Sequence, residues 1–159
     1  MAMTIKTEGL TEVSQILAAL EGKAQDVASG ALYDGAGVVA DAFSRAANSI
    51  RTEPFKGKRA KRLPSPEEKA AVMGKTGVAR FRKNGSEVDT LIGVTGSAGY
   101  VMIGKKPKAV RLIARAINSG TSFMNKQPVF RRAASTSTGT AQAAIVNKAE
   151  EMFNEIING

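Results

Sequence analysis

Histidine and cysteine are both absent from this sequence of 159 residues. Without them the common zinc, copper and iron ligand sets cannot be assembled, and neither can a Ser-His-Asp or Cys-His catalytic arrangement. Disulfides and thiolate chemistry are excluded as well. Carboxylate, lysine or tyrosine chemistry and the binding of hard metals remain, and each needs a cluster of suitable residues. The absences favour a binding or structural role, and we expect no enzyme activity, no cofactor and no small-molecule substrate.

Tryptophan is also absent, and aromatic residues make up only 5% of a chain that is 43% hydrophobic. A core is therefore expected from Ala, Val, Ile and Leu, and the length suits a single domain over residues 1–159. The apolar stretches are far shorter than the ~20 residues that cross a bilayer. Residues 1–9 contain no apolar segment of the secretory type. We expect a soluble protein that is made in the cytoplasm and does not contact membranes.

The net charge of +9 is distributed unevenly along the chain. Residues 51–132 carry 19 Lys and Arg against 5 Asp and Glu, whereas the two ends together carry 4 against 9. The middle is therefore strongly basic and the ends are acidic. Such polarity suits binding to nucleic acid or to acidic partners, or the stacking of copies on one another. A solvated basic loop without a partner is the simpler alternative.

Helical periodicity dominates the N-terminal third of the chain. Apolar spacing over residues 10–50 predicts two helices, the first of which ends at Gly22. The alternative to one continuous second helix is a break within it near Gly35–Gly37. The small residues of the second helix would allow a sheet or a neighbouring subunit to approach closely.

A period of two residues begins at Gly77 and predicts strands. Asn84-Gly85 is a strong signal for a hairpin turn, after which the alternation continues on a return strand. A third strand is predicted over Tyr100–Ile103, followed by a turn over residues 105–108. Residues 110–118 fit either a strand or a turn of helix.

Two further helices complete the pattern. Ser65 and Pro66 suit the start of a short helix that ends at Gly74, and residues 140–157 form a long amphipathic helix. The order of elements predicts an α+β domain. We expect a small antiparallel sheet of three to four strands, packed by two N-terminal helices and a long C-terminal helix.

Residues 51–64 lack apolar periodicity and are predicted to form a basic, mobile loop. Its candidate contacts to DNA or to a protein partner are Lys56, Lys58, Arg59, Lys61 and Arg62. Five charges within seven residues can neutralise several phosphates. Phe55 is the only aromatic residue nearby for base stacking, so recognition of a particular base sequence is not expected. A non-specific nucleic-acid-binding protein is therefore the alternative function.

Two motifs of catalytic type are present only in part. Met73-Gly74-Lys75-Thr76 contains the Gly-Lys-Thr of a phosphate-binding loop, but Lys69 stands where the first glycine is needed, and a helix rather than a strand precedes it. Glu87 and Asp89 share one face of a predicted strand and could hold a metal ion or a proton. We expect them instead to face Arg80 and Arg82 on the partner strand. Neither motif indicates catalysis.

One segment near the last helix carries motif-like identity to a protein family. It comprises Ala116-Ile117-Asn118-Ser119-Gly120-Thr121 and, after a linker, Gln127-Pro128-Val129-Phe130-Arg131-Arg132-Ala133. The segment resembles the tail-completion and head–tail joining (neck) proteins of lambda-like tailed siphophages. In that family a strand ends in a Gly-Thr pair, and a Pro-Phe segment leads to an alanine that opens the last helix. The N-terminal half is similar in layout, with residues 36–47 in the long second helix.

The resemblance implies a structural virion protein without chemistry of its own. Similar proteins form a ring of identical subunits, commonly six, at the end of the tail tube or between the tail and the head connector. The implied partners are copies of this chain, other phage neck or tail proteins, and DNA passing through the ring. Gly120 would permit a sharp turn, Phe130 would anchor the last helix, and Thr121, Pro128 and Ala133 complete the motif. The implied location is the neck or tail of the virion, assembled in the host cytoplasm.

Overall fold

The computed structural model describes residues 10–54, 61–84, 87–94 and 99–158. Its elements, in chain order, are α1 (Leu10–Asn48), α2 (Pro66–Met73), β1 (Thr76–Val78), β2 (Arg82–Asn84), β3 (Glu87–Asp89), β4 (Ile92–Val94), β5 (Tyr100–Ile103), β6 (Lys106–Ala109), α3 (Val110–Ser119) and α4 (Val129–Asn158). The architecture mixes helices with antiparallel strands and is of the expected α+β type. None of the helices in these residues combines the length and apolar character that a membrane span needs.

α1 is one continuous helix of 39 residues, so the prediction of two helices separated at Gly22 is wrong. The helix also continues through Gly35–Gly37, so the alternative of a break there is wrong as well. Each interior glycine costs a helix about 1 kcal/mol relative to alanine. The helix tolerates this cost because α1 packs along α4 more extensively than any other two described elements pack together. Tertiary packing on α4 offsets the local cost at Gly30 and Gly35, where the two helices touch.

The small residues of α1 bring its backbone close to α4. Gly30 lies against Met152, and Gly35 lies against Ile145 and the carbonyl oxygen of Ala141. Because residue numbers rise along α1 as they fall along α4, the two helices are antiparallel. The sequence suggested a sheet or a neighbouring subunit as the reason for these small residues. The described contact is instead with a helix of the same chain.

Gly35 and Gly37 should respond in opposite directions to alanine. A Cβ atom at Gly35 would overlap the Ile145 side chain, so Gly35→Ala should lower the free energy of unfolding by about 1–2 kcal/mol despite its gain in helix propensity. A Cβ atom at Gly37 would meet no atom within 4 Å, so Gly37→Ala should raise that free energy by about 0.5–1 kcal/mol. Urea unfolding at equal protein concentration measures both. Equal effects of the two changes would contradict the packing of α1 on α4.

β1 to β4 form one long antiparallel hairpin in two ladders. β1 pairs with β4, and β2 pairs with β3 so that Arg82 lies opposite Asp89. Between the ladders, residues 79–81 oppose residues 90–91, which is the extra residue of a β-bulge. The hairpin predicted from Asn84-Gly85 is confirmed by this pairing, although residues 85 and 86 themselves lie outside the described ranges.

β5 and β6 form a second, separate hairpin. Gly104 turns the chain with φ at 64°, and Lys106–Ala109 follow as a strand, so the turn predicted over residues 105–108 is wrong. Pro107 fits in β6 because this strand has a partner on only one side in the described structure. The expected sheet of three to four strands is therefore wrong as well, because Tyr100–Ile103 pairs forward with β6 and not back with β4.

The core lies where α1, α2, α3 and the start of α4 meet. Residues 110–118, for which the sequence allowed either a strand or a helix, lie in the helix α3. The buried positions of α3 recur at helical spacing. α4 begins at Val129, well before the predicted residues 140–157. The large buried side chains of this core are Ile50, Val72, Val110, Ile113, Ile117, Met124 and Phe130.

Candidate functional site

Glu68 is a charged residue inside the core, with its side chain only 2% exposed. It stands at the third position of α2, after the N-cap residue Ser65. The Ser65 hydroxyl accepts a hydrogen bond from the Glu68 amide at 3.3 Å, and the Glu68 carboxylate accepts one from the Ser65 amide at 3.0 Å. This capping box turns the Glu68 side chain back toward the chain that precedes the helix.

Two cations share the Glu68 carboxylate, one six residues away in the chain and the other 40 residues away. The Arg62 guanidinium donates from Nη1 to Oε2 and from Nη2 to Oε1, both at 2.7 Å. Lys108 on β6 donates from Nζ to Oε1 at 2.9 Å. We call Arg62, Glu68 and Lys108 the ion cluster. Burial raises the pKa of Glu68, but the hydrogen bonds from Arg62, Ser65 and Lys108 outweigh burial and lower the pKa to about 2.

The low pKa of Glu68 predicts a specific loss of stability in acid. Because the pKa is 4.5 ordinarily and about 2 in the fold, the ionised carboxylate stabilises the protein fully above its ordinary pKa. The contribution of about 3 kcal/mol is lost as the pH falls toward the folded pKa. Urea unfolding of the wild type and of Glu68→Gln at a series of pH values measures it. The difference in free energy of unfolding between the two proteins should become smaller in acid. A difference that does not change with pH would contradict the ionised cluster.

The chain that follows the basic segment is held against the chain that follows α3. The Arg62 amide donates to the Phe123 carbonyl at 3.0 Å, and the Asn125 amide donates to the Arg62 carbonyl at 2.9 Å. These bonds form a short parallel bridge between Arg62 and Met124. The Arg62 side chain is therefore positioned for Glu68 by its own backbone pairing.

The chain that precedes the basic segment is held by the buried side chain of Gln127. The Arg51 amide donates to Gln127 Oε1 at 2.9 Å, and Gln127 Nε2 donates to the Arg51 carbonyl at 3.0 Å. Both described ends of the predicted mobile loop over residues 51–64 are thus tied to the body of the protein. Residues 55–60 lie outside the described ranges.

A groove with a volume of about 470 Å³ opens beside the ion cluster. Three large side chains that line it are mostly exposed, Tyr100 by 77%, Leu112 by 56% and Phe123 by 71%. Lys108 and Arg111 stand among them and make the groove basic. We call the surface formed by these five residues the α3 groove. Single exposed apolar residues are ordinary, but several gathered around a concave surface are typical of a binding site.

The predicted contact cations of the basic loop are only partly described. Lys56, Lys58 and Arg59 lie outside the described residues. Lys61 is exposed, whereas Arg62 is engaged in the ion cluster. The hydrogen bonds to Glu68 also raise the pKa of Arg62. Arg62 therefore has a structural role, and the other four cations remain candidate contacts to a partner.

Gly120 and Thr121 of the family resemblance form the turn after α3. Gly120 has φ at 77°, in the left-handed region that favours glycine, and a Cβ atom there would come within 3.3 Å of the Lys126 amide. The Thr121 hydroxyl accepts hydrogen bonds from the amides of Phe123 and Met124. The residues before Gly120 form a helix, so the strand that the resemblance implies at this point is absent.

Pro128, Phe130 and Ala133 lie at the start of α4. Phe130 and Ala133 are buried in the core, each 8% exposed. The Phe130 ring stacks on Phe43 of α1, with centroids 5.5 Å apart and planes 18° apart. The resemblance implies that the alanine opens the last helix, but α4 begins at Val129, about one turn earlier.

The partial phosphate-binding motif is an ordinary connection between a helix and a strand. Gly74 is the C-cap of α2; its amide donates to the Ala70 carbonyl at 3.0 Å, and the Lys75 amide donates to the Val72 carbonyl at 3.2 Å. The Thr76 hydroxyl donates to the Val72 carbonyl at 2.8 Å. The backbone amide and the hydroxyl that a phosphate would need are therefore used within the turn.

The acidic pair on the first hairpin is separated by its pairing. Asp89 lies opposite Arg82, as predicted, but Glu87 lies opposite Asn84 and not opposite an arginine. Within the described part of the chain, no three acidic side chains come together as ligands for a metal ion.

Sequence reasoning missed both the ion cluster and the α3 groove. The spacing of Ser65 and Glu68 is a capping-box signal and could have indicated that Glu68 turns inward. Its partner Lys108 is 40 residues away, and no local pattern connects the two. The groove was missed because its exposed side chains come from three separate parts of the chain.

Comparison of the chain with protein-family models, with curated proteins and with solved structures found no match. The resemblance to phage neck proteins therefore depends on the quoted segment and on the layout of the elements.

Proposed function

We propose that this chain is a structural virion protein of a tailed phage or prophage. In this proposal it is a tail-completion or head–tail joining subunit that assembles with copies of itself as a ring at the neck. The resemblance of residues 116–133 to neck proteins indicates that the assembly is a ring at the neck. The α3 groove is the observation that favours an assembling subunit over a protein that acts alone.

The α3 groove supports the proposal because its exposed apolar side chains are removed from water only when another surface covers them. Burial of apolar area contributes roughly 25 cal/mol per Å². Covering the exposed Tyr, Leu and Phe side chains with a second surface would therefore contribute substantially to the free energy of association. Phe123 lies in the linker between the two parts of the motif that carries the resemblance. One wall of the exposed surface is therefore next to the family motif in the chain.

The surroundings of the groove also suit a contact surface of fixed shape. The ion cluster holds Arg62 and Lys108 at its edge, and the bridge between Arg62 and Met124 holds the chain that carries Phe123. A surface whose side chains are supported by such bonds loses little conformational entropy on association. This preorganisation is what a subunit that joins many identical copies requires.

Deletion of the gene from the phage or prophage that encodes it tests the proposal. We expect filled heads and free tails to accumulate unjoined in electron micrographs, with loss of infectious particles. The wild-type gene supplied in trans should restore joined particles, and mass spectrometry of those particles should find the chain. Joined, infectious particles in the absence of the gene would overturn the proposal.

The alternative, a non-specific nucleic-acid-binding protein, is favoured by the charge of the middle of the chain. It requires that the loop cations outside the ion cluster bind phosphates. Binding would then weaken steeply with salt, with a slope of about 0.9 per phosphate neutralised. Titration of duplex DNA at low and near-physiological salt measures this slope. Negligible binding at ~100 mM salt would remove the alternative.

A further inference from the structure

The C-terminal half of α4 carries a second exposed apolar surface. Val146, Phe153 and Ile157 are exposed by 52%, 38% and 48%. With Glu150 between them, they are spaced by four, three and four residues, which places all four on one face of the helix. We call these four residues the α4 stripe. The face of α4 that packs on α1 carries Ile145 and Met152 instead.

The α4 stripe lies in an acidic environment. Glu150, Glu151 and Glu155 are exposed on this part of the helix, and Lys148, the only cation there, is paired with Glu151 at 2.9 Å. The last turn of α4 contains no basic residue. The partial negative charge at a helix C-terminus adds to that of the carboxylates. The stripe is thus apolar and negative, whereas the α3 groove is apolar and positive.

Most of the length of α4 separates the two surfaces. α4 begins at Val129, five residues after Met124, which lines the groove, and Phe153 is 24 residues further along the helix. At 1.5 Å per residue this is about 36 Å. The stripe of one molecule therefore cannot reach its own groove. A second copy, by contrast, can bring its stripe to the groove without any change in either surface.

We propose that the α4 stripe of one copy docks in the α3 groove of the next. Phe153 and its apolar neighbours would cover Tyr100, Leu112 and Phe123, and Glu150 would lie near Arg111, in the manner of a helix in a groove. The contact joins two different surfaces, so repetition of it closes a ring when the rotation per copy permits. The inference rests on the proposed function in that it names the contact between subunits of the ring.

The absence of cysteine allows a direct test by disulfide cross-linking. Leu112→Cys and Phe153→Cys are made in separate chains, which are then mixed and oxidised. A disulfide forms only when the two Cα atoms come within about 7 Å. We expect covalent dimers in the mixture and none with either variant alone. A chain with both changes should give a ladder of multimers. The same oxidation is applied to particles that carry the variants.

Asn154→Cys is the matched control for Phe153→Cys. Asn154 is exposed and adjacent, but it points about 100° away from Phe153 around the helix. It should give little cross-linking with Leu112→Cys. Equal cross-linking from both positions, or dimers of Leu112→Cys alone, would overturn the inference, because the contact would then be unspecific or between two grooves.

Charge reversal provides a second and independent measurement. Arg111→Glu should weaken self-association by at least ~10-fold, and a partner chain with Glu150→Arg should restore it. Analytical ultracentrifugation of the purified chain measures both effects. An assembly of unchanged size in Arg111→Glu would overturn the inference.

The two proposals fail in different ways. Particles or purified rings that form normally but never yield the cross-link would overturn the stripe-in-groove contact and leave the proposed function standing. Protection of Leu112→Cys from a thiol reagent by duplex DNA or by another virion protein, without the cross-link, would identify a different occupant and also overturn the contact. Infectious particles without the gene would overturn the proposed function, whatever the cross-linking result.

Discussion

Glu68→Ala should lower the free energy of unfolding by about 3–5 kcal/mol, the range for a buried ion pair that loses one partner. The substitution removes the carboxylate that three donors share, from Arg62, Lys108 and the Ser65 amide. Arg62 would keep a positive charge in a mostly buried place, and α2 would lose its capping box. For a chain of this length we expect the melting temperature to fall by roughly 10 °C. Calorimetry at neutral pH measures the change.

Glu67→Ala is the matched control, because Glu67 is the neighbouring residue on the same helical turn and is exposed. Loss of a negative charge near a helix N-terminus costs less than about 1 kcal/mol at the surface. A loss of stability in Glu67→Ala as large as that in Glu68→Ala would contradict the ion cluster. It would indicate that the charge of the first turn matters and that burial and pairing do not.

Phe130→Ala should lower the free energy of unfolding by about 3–5 kcal/mol, the range for a buried aromatic residue that is truncated. Phe130 is 8% exposed and stacks on Phe43, so the change opens a cavity between α1 and the start of α4. Chemical unfolding monitored by far-UV circular dichroism measures the loss. Phe130→Leu should recover part of it, because leucine refills some of the cavity.

Phe123→Ala makes the same chemical change on an exposed residue of the α3 groove. Phe123 is 71% exposed, so its truncation should change the free energy of unfolding by no more than about 0.5 kcal/mol. If the groove is a contact between copies, Phe123→Ala should weaken self-association while Phe130→Ala lowers stability. Similar losses of stability in both variants would contradict the assignment of Phe130 to the core and of Phe123 to the surface.

Elements with strong local signals were predicted correctly. α2 begins at its Ser-Pro signal and ends at Gly74, because the N-cap and the first-turn proline act within one turn of helix. The hairpin around Asn84-Gly85 also forms, since its turn signal is confined to a few residues. In both cases the free energy that selects the structure comes from neighbours in sequence.

Elements whose signals were local but weak were predicted wrongly. Gly22 reads as the end of a helix, yet α1 continues through it at a local cost of about 1 kcal/mol, and α1 packs on α4 more extensively than any other two described elements pack together. Residues 105–108 read as a turn because of Pro107, yet β5 supplies a partner strand. Tyr100–Ile103 could have paired with either neighbour, and the sequence does not distinguish them.

For the candidate site, the sequence predicted the positive charge but not which residues form the surface. The excess of positive charge in residues 51–132 follows from counting, and it predicts a basic surface. Which cations face a partner is a different question, because Arg62 belongs to the same charge run as Lys61 and is nevertheless used inside the fold. The pairing of Arg62 with Glu68 requires the backbone bridge to the chain after α3, and that bridge joins residues distant in sequence.

The sequence by itself determined that this chain has no imidazole or thiol chemistry, that its middle is basic, and that its residues favour an α+β fold. These properties follow from which residues are present and from their local spacing. Only the tertiary structure decided that Glu68 is buried between two cations and that Tyr100, Leu112 and Phe123 gather around one groove. The physical reason is that ion pairs and apolar clusters depend on distances between residues far apart in the chain. Those distances are set only when α2, α3 and the β5–β6 hairpin pack together.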